Sequence, residues 1–143
     1  MNAEAAIPVL IADDDPVSRL ILKVLVAKLG FYPVCVADGD EAWRTVNDFP
    51  GIKLFILDWI MPGLEGLEIC RRLSLQQPAR ERFVVMISAK DSPQDLRLSQ
   101  QAGAGAYLVK PVDSRRLAEC LELGLAGFRP KANRTPGIQA AER

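Results

Sequence analysis

Val9-Leu10-Ile11-Ala12-Asp13-Asp14-Asp15-Pro16-Val17 joins a short, unbroken apolar run to three acids and a proline. A continuous apolar run suits a strand covered on both faces, as in parallel sheets, whereas alternation would leave one face to water. Asp15-Pro16 reads as a helix start, a capping acid followed by proline at the first helical position. Behind it Val17, Leu20, Ile21, Val24, Leu25 and Leu29 recur at helical spacing and are expected to face the core, and Gly30 closes the helix. The unit is a strand followed by a helix.

That unit recurs along the chain. Further apolar runs lie at Pro33–Ala37, Leu54–Leu57, Phe83–Ile87 and Ala106–Val109. Between and after them, helical spacing predicts a second helix over about 39–49 with Ala42, Trp43, Val46 and Phe49 inward. A third is predicted over about 66–76, with Leu67, Cys70 and Leu73 inward. Ser92-Pro93-Gln94-Asp95 starts a fourth, like a capping box, that stops near Gly103. A fifth covers about 113–124, with Leu117, Leu121 and Leu125 on one stripe. Strict alternation of strand and helix predicts an α/β fold: a doubly wound five-stranded parallel sheet with five alternating helices. Residues 1–128 are expected to form this one domain. Residues 129–143, with scattered Pro, Gly, Ala and charges and no apolar period, are expected to be a disordered tail.

Composition narrows the function. At 143 residues the chain is one domain rather than two, and 49% hydrophobic with 25% charged residues is the balance of a globular protein. Eighteen basic and eighteen acidic residues cancel, so the field that draws proteins to nucleic acid or to membranes is missing. Histidine is absent, which removes the commonest general base and the commonest zinc ligand. Cys35, Cys70 and Cys120 are odd in number and never spaced Cys-x-x-Cys, so they read as small buried hydrophobes in a reducing compartment. No stretch approaches the ~20 apolar residues of a membrane span, and a cytoplasmic location is expected.

In doubly wound sheets, sites lie beyond the carboxyl ends of the strands. Residues closing the runs are Asp13-Asp14-Asp15 after the first, Asp58 after the third, Ser88 after the fourth and Lys110-Pro111 after the fifth. Singly, each has an ordinary role as a cap or turn former, and Asp15 is read that way. Jointly, they gather carboxylates, a hydroxyl and an ammonium at one edge. Two carboxylates ~4 Å apart repel by about 4 kcal/mol at an effective dielectric of 20, so the cluster calls for a cation. A few oxygen ligands point to magnesium, which keeps several waters and is commonly completed by a phosphate.

Leu10–Asp15, Leu57-Asp58-Trp59-Ile60-Met61-Pro62-Gly63-Leu64-Glu65-Gly66, Ile87-Ser88-Ala89 and Val109-Lys110-Pro111 together resemble the motif blocks of the receiver domain of two-component response regulators, of the chemotaxis-regulator type. The match runs in order over roughly 7–128. The resemblance implies a flavodoxin-like, receiver-type fold and a phosphoacceptor switch with self-catalysed phosphotransfer and autodephosphorylation, rather than a turnover enzyme. It implies that Asp58 takes a phosphoryl group from a partner's phosphohistidine. Asp14, Asp58 and the backbone carbonyl of Ile60 would hold Mg2+, or Mn2+ in its place, with Asp13 acting through a water. Lys110 would pair with Asp58 and then with a phosphoryl oxygen, aimed by a cis Pro111. Ser88 and Tyr107 would form the switch, altering the face of the fourth helix, fifth strand and fifth helix, where Arg97, Gln100, Arg115 and Arg116 could meet a target. Ile60 and Lys90 would flank the route of an attacking water, and Glu65 stands where Asp is frequent. Implied partners are a sensor histidine kinase or histidine phosphotransfer protein, a downstream target and, on phosphorylation, a second copy, with no nucleic acid or membrane.

Two other readings stay open from sequence. Asp13-Asp14-Asp15-Pro16-Val17 also fits the Asp-x-Asp-x-Val start of haloacid-dehalogenase-like phosphatases, with Asp13 as nucleophile and Asp58 idle; no room for a cap domain and no later acidic pair weigh against it. The chain could also be a receiver fragment of a larger hybrid kinase or multidomain regulator. Its start at Met1 and a tail with no effector after it favour a stand-alone regulator or phosphate shuttle. A nucleotide-binding module is disfavoured because no glycine-rich loop follows the first run.

Overall fold

The computed structural model describes residues 6–76 and 81–127. In chain order the elements are β1 (Pro8–Ala12), α1 (Pro16–Lys28), β2 (Tyr32–Val36), α2 (Gly39–Asp48), β3 (Leu54–Asp58), α3 (Gly66–Leu75), β4 (Phe83–Ser88), α4 (Pro93–Gln101), β5 (Ala106–Val109) and α5 (Ser114–Ala126). The strands form one parallel sheet in the order β2-β1-β3-β4-β5. The expected α/β, doubly wound five-stranded fold with five alternating helices is therefore observed. The chain reverses direction along the sheet at β1, which opens a crevice between the carboxyl ends of β1 and β3, where ligands of such folds bind.

Side chains of the central strands divide by the strand period of two. Val9 and Ile11 of β1, with Leu54 and Ile56 of β3, meet Leu22 and Val26 of α1 and Leu117 and Leu121 of α5. Leu10 and Ala12, with Phe55 and Leu57, meet Ala42 and Val46 of α2 and Ile69, Cys70 and Leu73 of α3. Covering both faces buries every residue of β3, and that is why its run is unbroken rather than alternating.

Helix starts follow the expected chemistry. Asp15 accepts from the N–H groups of Val17 and Ser18 with Pro16 behind it, and Ser92 and Asp95 close a reciprocal capping box with Pro93 next. Gly30 follows α1 at φ 95°, a backbone conformation that side chains disfavour.

Three expectations need correction. Val17, Leu20, Ile21, Val24 and Leu29 do not face the core: they are exposed, Leu25 is partly buried, and Leu22 and Val26 are the inward residues. Helix α1 carries aliphatic residues on both of its sides, so periodicity alone did not select a face. Phe49 caps α2 from outside and is exposed. Of the cysteines only Cys70 is fully buried, its thiol pushed up to about 12 by that burial; Cys35 and Cys120 are half-buried. The expected tail, residues 129–143, and residue 128 lie outside the described residues.

Candidate functional site

Register brings the strand-end residues together. Asp58 pairs with Ile87 of β4, so Ser88 lies one residue beyond it. Lys110, just past β5, donates its N–H to the Ser88 carbonyl at 2.8 Å, and the Lys110–Pro111 bond is cis, as the resemblance implied. The lysine Nζ lies 3.0 Å from Asp58 Oδ2 and 3.2 Å from Asp13 Oδ2. Asp13, Asp14 and Asp58 each offer a carboxylate oxygen, all within 4.8 Å of one another. Asp13 and Asp58 are buried and Asp14 is exposed, so the cluster is a cleft with one wet side. Ile60 sits in the turn after β3 with its side chain exposed.

Asp13 and the turn that follows Asp58 are held from behind. Asp13 accepts the Asp15 N–H at 3.0 Å and the Ser18 hydroxyl, while Arg19 donates to its backbone carbonyl at 2.8 Å. The turn after Asp58 is pinned by Trp59 N–H to the Ile87 carbonyl at 2.9 Å and by Gly66 N–H to the Trp59 carbonyl at 2.8 Å. A Cβ on Gly66 would stand 2.1 Å from the Asp58 carbonyl oxygen, so only glycine lets α3 start this close to the acid. Ser18 and Arg19 are the residues sequence reasoning missed, and the close approach of Gly66 to the Asp58 carbonyl was not foreseen. Ser18 sits at the i+3 position from Asp15, where capping explains a serine equally well, so its sequence carried no separate signal.

Charge dominates the site. Burial pushes the Asp58 carboxyl from near 3.8 up to about 6, outweighing the hydrogen bond and charge of Lys110, and the Asp13 carboxylate adds to the rise. Burial by itself would lower the Lys110 pKa, but its bonds to Asp58 and Asp13 prevail and raise it. With all acids ionised, three carboxylates and one ammonium leave two negative charges, which a divalent cation balances. The donors are oxygen only, the preference of hard cations.

A second cluster links the β4–α4 loop to the acid. Ser88 is buried and its Oγ accepts the Lys90 N–H at 3.0 Å, while Tyr107 on β5 donates its hydroxyl to the Lys90 carbonyl at 2.7 Å. Trp59, next to Asp58 and buried, meets the Tyr107 ring edge-on at 6.2 Å and carries the Lys90 ammonium 5.1 Å above its own ring. The expected switch pair, Ser88 and Tyr107, thus shares one loop. Beyond Tyr107, a groove of about 910 Å³ runs between α4, β5 and α5; Gln100 and Arg116 line it, and Arg97 and Arg115 do not.

Acids converging at the crossover of a doubly wound sheet, beside a lysine just past the last strand, form an oxygen-lined cleft suited to a divalent cation. The chain belongs to the response regulator receiver domain family, whose model matches residues 9–122. It is 31% identical over 117 residues to the chemotaxis protein CheY1 of Helicobacter pylori, covering 81% of this chain and 94% of that protein. It is 32% identical over 136 residues to the sensory/regulatory protein RpfC of Xanthomonas campestris, covering 92% of this chain but only 18% of the relative's length. Among solved structures, the Francisella response regulator 1452 receiver domain superposes with TM-score 0.77 at 26% identity, covering 85% of this chain and 98% of that one. Vibrio cholerae CheY4 gives 0.75 at 25%, covering 83% and 98%. The protein is a receiver domain of two-component signalling, and the phosphatase alternative is not favoured: Asp58, idle in that scheme, sits in the middle of the charge cluster. No helix among the described residues is long and apolar enough to cross a membrane.

Proposed function

We propose that Asp58 accepts a phosphoryl group from a phosphohistidine of a sensor histidine kinase or histidine phosphotransfer protein. The carrying observation is the lysine 3.0 Å from the Asp58 carboxylate, beside two further acids. A carboxylate oxygen of Asp58 attacks phosphorus, the nitrogen–phosphorus bond breaks, and the imidazole leaves with its electron pair and takes a proton. Asp14, Asp58 and the Ile60 carbonyl would hold Mg2+, with Asp13 reaching it through water, and Mn2+ would serve in its place. The ion supplies charge neutralisation at the transferring phosphoryl group. Lys110 moves from the carboxylate oxygen to a phosphoryl oxygen and stays a point charge throughout. Hydrolysis reverses the load: water attacks phosphorus, the Asp58 oxygen–phosphorus bond breaks, and the carboxylate and inorganic phosphate are released.

A phosphorylated Asp58 carries roughly two negative charges and strong acceptor oxygens. Ser88 Oγ then turns from accepting the Lys90 N–H to donating to a phosphoryl oxygen. The loop that carries Lys90 follows, and Tyr107 loses the carbonyl it holds. Residues 90 and 107 therefore convey the change to the α4–β5–α5 face, where a downstream target would dock and a second copy could pair after phosphorylation. Loop states a few kcal/mol apart are enough for such a population shift. The receiver unit spans residues 1–128 and acts in the cytoplasm as a phosphoacceptor rather than a turnover enzyme. The short share of RpfC that the chain spans supports a second reading, a receiver piece of a larger hybrid kinase.

Incubation with a phosphohistidine donor protein and magnesium tests the assignment. Label should appear on the wild type and be absent from Asp58→Asn. Label retained by Asp58→Asn but lost in Asp13→Asn would install the phosphatase-like scheme instead.

A further inference from the structure

Residues 59–65 join β3 to α3 and carry Ile60. Trp59 and Met61 turn inward, buried in the same core layer as Ala42 and Val46 of α2, while Ile60 between them is exposed. The ends of the loop are tied by the Gly66 N–H to the Trp59 carbonyl. Its middle is tied to α2. Gly39, the first residue of that helix, donates its N–H to the Pro62 carbonyl at 3.1 Å. A Cβ on Gly39 would stand 1.6 Å from the Leu64 carbonyl oxygen, so the two backbones meet with no side chain between them. Gly63, with φ 75°, lies against the Asp40 side chain. Asp38 holds the start of α2 in turn, its carboxylate accepting the Glu41 N–H at 2.7 Å.

A carboxylate ligand adjusts its position by side-chain rotation, whereas a backbone carbonyl goes only where its loop goes. Magnesium demands near-ideal octahedral geometry at about 2.0–2.1 Å, so the Ile60 carbonyl can serve it only while the loop is held. We infer that Gly39 is a positioning residue for the cation site. By letting the start of α2 close on Pro62 and Leu64, it fixes the loop that presents the Ile60 carbonyl. Helix α2 thereby sets the affinity of the site, although none of the clustered acids lies on it. A methyl group at position 39 would have to part the two backbones by more than an ångström to reach even the 3.0 Å that marks the shortest real Cβ contacts. The loop would then carry its carbonyls away from the cleft. The inference rests on the proposed role of Ile60 as a ligand, whereas the contact between α2 and the loop does not.

Titration of the full chain with Mn2+ alone, the free ion measured by electron paramagnetic resonance, tests this. The wild type should bind the ion and Asp14→Ala should not. Gly39→Ala should weaken binding by about tenfold, as the loss of a group that orients a metal ligand does. Gly124→Ala controls for general destabilisation. Its Cβ would press on the side chains of Phe83 at 2.6 Å and Leu54 at 2.9 Å, the first residues of β4 and β3 and so at the opposite end of the sheet. It should change the affinity by less than about twofold. Asp38→Ala, which removes the cap of α2, should also weaken binding, whereas Asp38→Asn, which caps equally well, should not. Circular dichroism verifies that each variant is folded at the temperature of the titration, and should Gly39→Ala fail that check, the two Asp38 variants carry the comparison. Wild-type affinity in Gly39→Ala, an equal loss in Gly124→Ala, or Asp38→Asn as weak as Asp38→Ala overturns the inference and leaves the site standing. A wild type that binds no more Mn2+ than Asp14→Ala overturns the site and the inference together.

Discussion

Asp58→Asn should make the metal-free protein more stable at neutral pH, although it removes half of the lysine's ion pairing. Ionised Asp58 is disfavoured in the fold because burial, aided by Asp13, outweighs Lys110 and lifts its pKa from 3.8 to about 6. A rise from 3.8 to about 6 corresponds to about 3 kcal/mol between the charged and neutral forms, before solvent screening. Asn keeps the shape without the charge, and Lys110 retains Asp13 at 3.2 Å. Allowing for solvent screening on the wet side of the cleft, a gain of about 1–3 kcal/mol follows, or several degrees in Tm for a domain of this size. The sign with pH is fixed by linkage. Because the folded pKa lies above the unfolded one, the wild type takes up its proton in the folded state first as pH falls through 6. Its deficit relative to Asn is therefore full above about pH 6, shrinks between 6 and 4, and is gone below 3.8. Thermal unfolding of both proteins in chelator from pH 4 to pH 8 measures this. An Asn variant no more stable than wild type at pH 7.5, or a gain that persists undiminished at pH 4, refutes the electrostatic account.

The remaining predictions concern the ion, the turn and the aromatic cluster. Magnesium at about a hundred times its Kd should stabilise the wild type by about 2.7 kcal/mol, and Asp14→Ala should abolish most of that rise in a melting experiment. An equal rise in both proteins would remove Asp14 from the site. Gly66→Ala should cost about 2–4 kcal/mol, because its Cβ meets the Asp58 carbonyl at 2.1 Å, and denaturant unfolding will show whether the turn yields more cheaply. Trp59 fluorescence should change on phosphorylation as Lys90 and Tyr107 shift, and Lys90→Ala should shift the resting emission. An emission spectrum indifferent to both would separate the tryptophan from the switch.

The sheet and the acid cluster were legible because their signals are local or multiply determined. Unbroken apolar runs can pack only between two helical layers, and what ends each run lands on one edge by topology alone. Asp13, Asp14, Asp58 and Lys110 could therefore be brought together from sequence. The inward face of α1 could not. Its aliphatic residues occur on both sides, and the spacing of Val17, Leu20, Ile21 and Val24 is the same whether it meets a sheet or a second protein. Gly66 was placed at the start of α3, but its 2.1 Å approach to the Asp58 carbonyl is a three-dimensional fact with no sequence pattern. The same holds for Lys90, whose carbonyl receives the hydroxyl of Tyr107 from 17 residues away.

Acyl phosphates are reduced by borohydride to alcohols, which fixes the position of an otherwise labile group. Protein treated with magnesium and acetyl phosphate, then borohydride, and mapped by peptide mass spectrometry should carry homoserine at position 58 and unchanged aspartate at 13 and 14. Homoserine at 13 or 14, or at none of the three, would contradict the role assigned to the buried carboxylate beside Lys110.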